Sequence, residues 1–352
     1  MKGLEKYYSI HGIVTFKIVN EAHLLSWQFN NIYNAYKNFE IEKSDELDFI
    51  IYLGKFTPSN QGCYIINNKY YVREDYFFCK RDSYKFANWS FEMSGFEDGA
   101  STVRLSSNPL GYLFMSGFVI DFLIQYKLNE KGFSIVHASC VSKSDMGFLF
   151  AARSGGGKTT FAMNFLEKGF NLLGDNFIIL HQGKALSYFS PINIFTYNLA
   201  PIVKRNFGTK NKIILDLKEL FYKATQGYIK IFTKINPREI FPHLTVDETK
   251  LNVVFLLIPK EDLWIQKIDK KELCDHLVSN QKLDALLFHE YISEYSYMFP
   301  KSKLATYWNS YRENLDKNLR GKISLYKVEI PRKPNGVVFE KISDVFSNER
   351  SV

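Results

Sequence analysis

The sequence has no CxxC pair, and its four cysteines (Cys63, Cys79, Cys140, Cys274) are scattered along 352 residues. That spacing argues against a structural zinc site, and that number against a disulfide scaffold. Reduced cysteines are expected, with a Cys63–Cys79 pairing left open. No apolar run is long enough to span a bilayer. The most hydrophobic stretch, Leu110–Ile120, is about half of the ~20 residues required and ends at Asp121. It reads as a buried helix, and no membrane partner is expected. Met1–Tyr8 has no apolar signal core, so a cytoplasmic location is expected. Basic residues exceed acidic ones, 45 − 37 = +8, yet no dense basic run occurs. Lys204-Arg205 and the interrupted segment Lys267–Lys271 are short, so the excess reads as solvated surface and nucleic-acid binding is not expected. Repeats, low-complexity tracts and long linkers are also missing.

What is present fits a globular protein with a sizeable core. Apolar residues make up 46% of the chain, and its length suits two domains. The fold class expected is α/β, with a strand-rich N-terminal domain over 1–108 and a second domain over 109–352. In the first, Ile10–Val19 alternates loosely and Asp48–Leu53 is a compact apolar run. Gly62–Ile66 and Lys69–Val72 flank Asn67-Asn68, a tight-turn pair. Phe86–Met93 and Ser101–Leu105 read as strands around the turn-rich Gly95–Gly99. His11 reads as an ordinary surface or strand histidine. In the second domain the pattern turns helical over Leu110–Leu128. Strands follow over Ser134–Val141 and Gly147–Ala151, a helix over Thr159–Lys168 ending at Gly169, and strands over Asn171–Leu173 and Phe177–Leu180. Further helices are expected over Lys212–Lys223, Leu273–Leu287 and Tyr291–Met298, and strands over Leu251–Ile258 and Ile323–Ile330.

The chemistry concentrates in Gly147–Thr160, GFLFAARSGGGKTT. An apolar strand, three consecutive glycines, Lys-Thr-Thr and a helix form the context of a phosphate-binding loop, the Walker A P-loop. Glycines let the backbone curl so that N–H groups face phosphate oxygens, and the helix N-terminus adds partial positive charge. The residues expected to hold a nucleoside triphosphate, ATP first, are Arg153, Ser154, Gly155, Gly156, Gly157, Lys158, Thr159 and Thr160. Lys158 would reach the β- and γ-phosphates, and Thr159 would hold Mg²⁺ through its hydroxyl. Ala152 stands where the first glycine is usual; it is small enough to be tolerated. Asp175, after the strand that follows the loop helix, is the nearest acid and the candidate to position the nucleophile or, with Thr159, the metal. His137, at a strand end upstream, is a candidate to orient Asp175 or share a proton with it.

The order HAS (His137–Ser139), strand, SGGGKTT, helix and LLGD (Leu172–Asp175) resembles the HPr kinase/phosphorylase superfamily, more closely its divergent HPr-kinase-related members. The resemblance implies a P-loop kinase domain similar in fold to phosphoenolpyruvate carboxykinase. Some relatives phosphorylate a protein serine; others act on ribosomally made precursor peptides, including those of lasso-peptide pathways. The specific part covers residues 131 to about 180. It implies that His137 matches the family's strand histidine, Ser154–Thr160 its phosphate loop, and Asp175 its base on the substrate hydroxyl. A second, adjacent aspartate is Asn176 here, which supplies no charge. The family's later acidic metal ligand has no motif in this chain; Glu239 and Glu248 are available. Arg205 and Arg238 are candidate positive charges.

Three functions are therefore weighed. One is a kinase moving the ATP γ-phosphate to a hydroxyl, on a peptide or protein serine first and a small hydroxylated metabolite second. Another is a nucleotide-binding regulatory or scaffold protein with little catalysis. The third, an ATPase motor or ABC-type domain, lacks an LSGGQ-like signature, and Leu251–Ile258 ends in Pro259-Lys260 without the acid of a Walker B strand. A homo-oligomer is compatible with each.

Overall fold

The computed structural model describes residues 4–21, 32–113, 119–195, 201–208, 213, 215–218, 220, 232–331, 334 and 336–350. The chain divides into two units, Met1–Gly132 with Lys282–Glu313, and Phe133–Gln281 with Asn314–Val352. Helices α1 (Asp121–Glu130), α2 (Lys158–Glu167), α3 (Pro201–Asn206), α4 (Pro237–Ile240), α5 (Lys270–Asp284), α6 (Leu286–Met298), α7 (Tyr307–Asn318) and α8 (Gly336–Arg350) accompany two large sheets. No described helix is long and apolar enough to cross a membrane.

In the first unit, the loose alternation of Ile10–Val19 resolves into a hairpin. Strand β1 (Leu4–Ile10) turns at His11 and Gly12, both at positive φ, into β2 (Val14–Asn20). Its sheet also holds β3 (Glu40–Ile41), β4 (Phe49–Leu53), β5 (Tyr64–Ile66), β6 (Tyr70–Arg73), β7 (Tyr76–Tyr84), β8 (Ala87–Ser94) and β9 (Ser101–Ser107). The order is β3-β1-β2-β4-β9-β8-β7-β6-β5. Asn67 and Asn68 carry φ of 51° and 52°, as a primed hairpin turn requires, and join antiparallel β5 and β6. None of the four cysteines is in a disulfide, Cys63 and Cys79 included.

The boundary expected near residue 108 lies inside this unit. α1 belongs to it, and so does α6, which returns from late in the sequence. The reason is a buried face on α6 made by Phe288, Tyr291, Ile292 and Tyr295, at helical spacing. Phe288 stacks on Phe122 of α1 at 3.9 Å, Tyr291 meets Phe91 of β8 at 5.0 Å, and Tyr295 meets Phe96 at 5.1 Å. The Tyr291 hydroxyl accepts from Trp89 Nε1 at 3.2 Å and donates to Asp82 at 2.8 Å. Of the expected helix over Leu110–Leu128, the described parts include a short 3-10 turn at Gly111–Leu113 and α1; residues 114–118 lie outside the described residues.

The second unit is built around β10 (Ser134–Val136), β11 (Ala138–Lys143), β12 (Met146–Ala151), β13 (Asn171–Gly174), β14 (Ile178–His181) and β15 (Lys184–Leu186). A two-stranded sheet, β16 (Ile192–Phe195) and β17 (Phe232–Ile235), stands apart from them. β18 (Glu248–Lys260), β19 (Trp264–Lys267) and β20 (Ser324–Pro331) complete the main sheet. Its path is β10-β14-β15-β18-β12-β11-β13, with β20 between β18 and β19. Val253–Leu257 in β18 is buried at every position, because β18 runs parallel between β12 and β20 and both its faces are covered. The core is aromatic. Phe150 of β12 stacks on Phe165 of α2 at 5.6 Å and on Phe255 of β18 at 5.4 Å, and Phe148 stacks on Phe346 of α8 at 4.0 Å. The single strand expected over Ser134–Val141 is broken at His137, where the chain bends from β10 into β11. The helix expected over Lys212–Lys223 falls largely outside the described residues.

Candidate functional site

Strand direction gathers the sequence candidates at one sheet edge. β12 delivers its C-terminal end to Ala152. β11 is antiparallel to it, pairing Ala138 with Ala151, so the start of β11 and the preceding His137 lie at the same edge. β13 is antiparallel to β11, pairing Gly174 with Cys140, so its C-terminal end and Asp175 arrive there too. In open α/β sheets this edge, beyond the carboxyl ends of parallel strands, is where ligands bind.

The loop Ala152–Gly157 needs its three glycines for different reasons. Gly155 and Gly157 have φ of 80° and 93°, a left-handed conformation that side chains resist. Gly156 lies in a tight space: a Cβ there would be 2.7 Å from the Ala152 Cβ and 2.9 Å from the Arg153 carbonyl oxygen. Alanine at 152 is thus accommodated by glycine at 156. Gly157 caps α2, and the Gly156 N–H donates to the Arg153 carbonyl at 2.9 Å. Arg153, Ser154 and Gly155 are exposed, and Thr159 and Thr160 half-buried. The Ser139 hydroxyl donates to the Lys158 carbonyl at 3.0 Å, tying β11 to the first turn of α2. The resulting concave loop at a helix N-terminus suits an anion.

Beneath it the polar groups are buried. Lys158 is 6% exposed, and its Nζ donates back to the Ala152 carbonyl at 3.0 Å. Asp175 is 2% exposed. Its Oδ2 accepts from the Thr159 hydroxyl at 2.6 Å, while Oδ1 is buried with no hydrogen-bond partner. Burial pushes the Asp175 carboxyl above the usual carboxylate range. The Thr159 hydrogen bond, the charges of Lys158 and His137, and the Asn176 backbone N–H pull the other way. His137 is half-buried at its bend, its ring 5.9 Å from that of Phe177. Asn176 has φ of 83°, a conformation that Asn tolerates better than most residues. Its departure from aspartate therefore coincides with a turn requirement.

A hydroxyl and a carboxylate in contact, one carboxylate oxygen still unpartnered, form a donor set that fits Mg²⁺, which keeps several waters and takes few protein ligands. Among the described residues no group of three or more His, Cys, Asp or Glu could hold a metal. The other charged candidates are engaged elsewhere. Arg205 pairs with Glu167 at 3.9 Å and Glu248 with Lys184 at 3.2 Å. Arg238 pairs with Asp247 and lies over the Phe189 ring at 4.6 Å, and Glu239 accepts from Asn236 at 3.2 Å.

Two residues at this edge have no local signature. Thr245 bridges to Leu172 in parallel register, which carries Asp247 toward the end of β13. Asn280 of α5 donates from Nδ2 to the Ala152 carbonyl at 3.2 Å, across 128 positions of sequence. Such a contact between distant segments leaves no motif to read.

No family model matches the sequence, and none of the curated proteins compared matches it. Among solved structures, this chain has a distant likeness to the Hpr(Ser) kinase/phosphatase from Coxiella burnetii, at 12% identity and a TM-score of 0.28, covering 62% of this chain and 96% of that one.

Proposed function

We propose that the chain binds ATP with Mg²⁺ at Ala152–Thr160 and transfers the γ-phosphoryl group to a hydroxyl, a peptide or protein serine before a small metabolite. The observation that carries this reading is the buried Asp175 carboxylate, held through Oδ2 by the hydroxyl of Thr159 in the first turn of the loop helix. With Oδ2 engaged, Oδ1 is the oxygen left to take the acceptor's proton. A carboxyl raised by burial is a stronger base than an ordinary one, as this role requires. The acceptor oxygen bonds to the γ-phosphorus, the bridge to the β-phosphate breaks, and Lys158 offsets charge on the phosphates. Thr159 and Asp175 would hold Mg²⁺, which would neutralise phosphate charge. Thr159 can offer the ion a lone pair while still donating its proton to Asp175. His137, close enough to favour the charged form of Asp175, orients it or shares its proton.

A second reading keeps the nucleotide and drops the transfer. Asn176, serving a left-handed turn and supplying no charge, favours it. Incubation with γ-labelled ATP and a panel of serine peptides and hydroxylated metabolites separates the two. The kinase reading expects a labelled acceptor that disappears in Asp175→Asn, while nucleotide binding persists. Binding lost in Lys158→Met but no labelled acceptor leaves the binding-only reading. No MgATP binding by the parent protein ends both.

A further inference from the structure

The sheet of the first unit ends in an open edge. β5 closes the strand path and pairs on one side, with β6; among the described residues no strand pairs on its other side. The Ile66 carbonyl accepts from the Lys69 N–H at 3.1 Å inside the turn, so Ile66 directs its backbone inward. Alternation along an antiparallel strand then turns the Ile65 N–H and C=O outward. Tyr64 and Ile65 are each 58% exposed. Such an edge is a template for a further strand.

Helix α6 runs along this edge. Asn67 Nδ2 donates to Glu294 at 3.2 Å, and the Tyr64 ring lies 6.4 Å from that of Phe299, so α6 is antiparallel to β5. Glu290, Glu294 and Tyr297 fall four and three positions apart and share one stripe of the helix. Glu290 accepts from the Tyr70 hydroxyl at 2.6 Å and is offset by Lys69 at 3.6 Å. The partner of the Glu294 carboxylate is the neutral Asn67 amide. Tyr297 is 79% exposed. Ile66 lies opposite Tyr70, which meets α6, so Tyr64 and Ile66 share the α6 face and Ile65 points to the other.

The geometry points to a docking edge for an extended peptide, added to β5 as an antiparallel strand. The peptide residue opposite Ile65 exchanges both backbone hydrogen bonds with it and is apolar, to cover the Ile65 side chain. Its two neighbours turn toward α6 and are basic. One faces the uncompensated carboxylate of Glu294; the other lies against the exposed rings of Tyr64 and Tyr297. This gives the first unit a partner of its own, beyond the nucleotide reading and independent of it.

The probe is fluorescein-labelled Thr-Lys-Val-Lys-Thr, titrated with the full chain in the absence of nucleotide and followed by fluorescence anisotropy. Binding is expected. N-methylation of the valine removes the N–H donated to the Ile65 carbonyl and is expected to weaken binding about tenfold. N-methylation of either lysine, whose N–H points away from β5, is expected to change it little. Thr-Glu-Val-Glu-Thr is expected to bind about fivefold more weakly than the lysine peptide. Glu294→Lys reverses that preference, and Glu294→Gln, which can keep the Asn67 bond, narrows it. Failure of the lysine peptide to bind overturns the inference. So does an equal loss from all three N-methylations, or equal affinity for the lysine and glutamate peptides. A concentration-dependent dimer that Ile65→Asp disperses overturns it as well, because a second copy of the chain then covers the edge.

Discussion

Thr159→Val is the substitution that most directly probes the site, because it removes one hydroxyl and keeps the shape. Valine and threonine have similar helix propensity, so α2 itself is little affected. What is lost is the 2.6 Å hydrogen bond to Asp175 Oδ2. As Oδ1 already lacks a partner, the substitution leaves neither carboxylate oxygen with a side-chain donor. A hydrogen bond to a charged group contributes about 1.5–3 kcal/mol. For a protein unit of about 150–250 residues that is a drop of roughly 3–12 °C in melting temperature. The loss depends on pH with a definite sign. Burial raises the folded-state pKa of Asp175 above its unfolded value. Its contribution to stability is therefore greatest below the unfolded pKa and declines as pH rises through the folded one. Thr159 opposes that rise, so its removal raises the folded pKa further. The penalty of Thr159→Val is thus largest at neutral and alkaline pH and shrinks on acidification, as Asp175 protonates. Thermal melts of parent, Thr159→Val, Asp175→Asn and the double variant across this range form a double-mutant cycle. With Asp175→Asn the cost of Thr159→Val should fall to about 1 kcal/mol, that of a neutral hydrogen bond. A pH-independent cost of equal size in both backgrounds would refute the placement of charge on Asp175.

Asp175→Asn by itself is expected to raise the melting temperature at neutral pH by removing a buried carboxylate, and the gain should fade in acid; a destabilised variant at neutral pH contradicts this. Gly156→Ala brings a Cβ within 2.7 Å of the Ala152 Cβ and 2.9 Å of a backbone oxygen, so the loop must shift. A cost of about 1–3 kcal/mol and loss of MgATP binding are expected by melting and calorimetry, partly restored in Gly156→Ala/Ala152→Gly. Tyr291→Phe removes the hydroxyl shared by Trp89 and Asp82 and should cost about 1–3 kcal/mol in chemical denaturation, leaving MgATP affinity intact.

The sequence carries those features whose cause is local. The glycine run after an apolar strand gives the β12–α2 turn, and Asn67-Asn68 gives the β5–β6 hairpin, because left-handed backbone restricts residue choice at those positions. Asp175 was legible because a short strand after a loop helix has few places to go. β7 has no counterpart among the expected strands: its first half, YFFC, is apolar without alternation, and its second half is polar. The break at His137 arises because β10 and β11 pair with different partners, β14 on one side and β12 on the other. The return of α6 to the first unit and the reach of Asn280 to Ala152 depend on complementary surfaces far apart in sequence. Periodicity identifies such surfaces but not their partners.

The return of α6 also governs how the protein can be taken apart. The chain leaves the first unit after Gly132, re-enters it at Lys282 and leaves again after Glu313. A fragment ending at Gly132 would forfeit the helix that covers Phe91 and Phe122, and would present bare aromatic rings to water. A fragment starting at Phe133 would carry that helix with nothing to cover. Neither cut produces a self-contained half, so ordinary truncation would report aggregation in place of division of labour. The roles of the two units must be separated by point substitution within the whole chain, or by excising residues 282–313 as a segment and fusing them to the unit they complete.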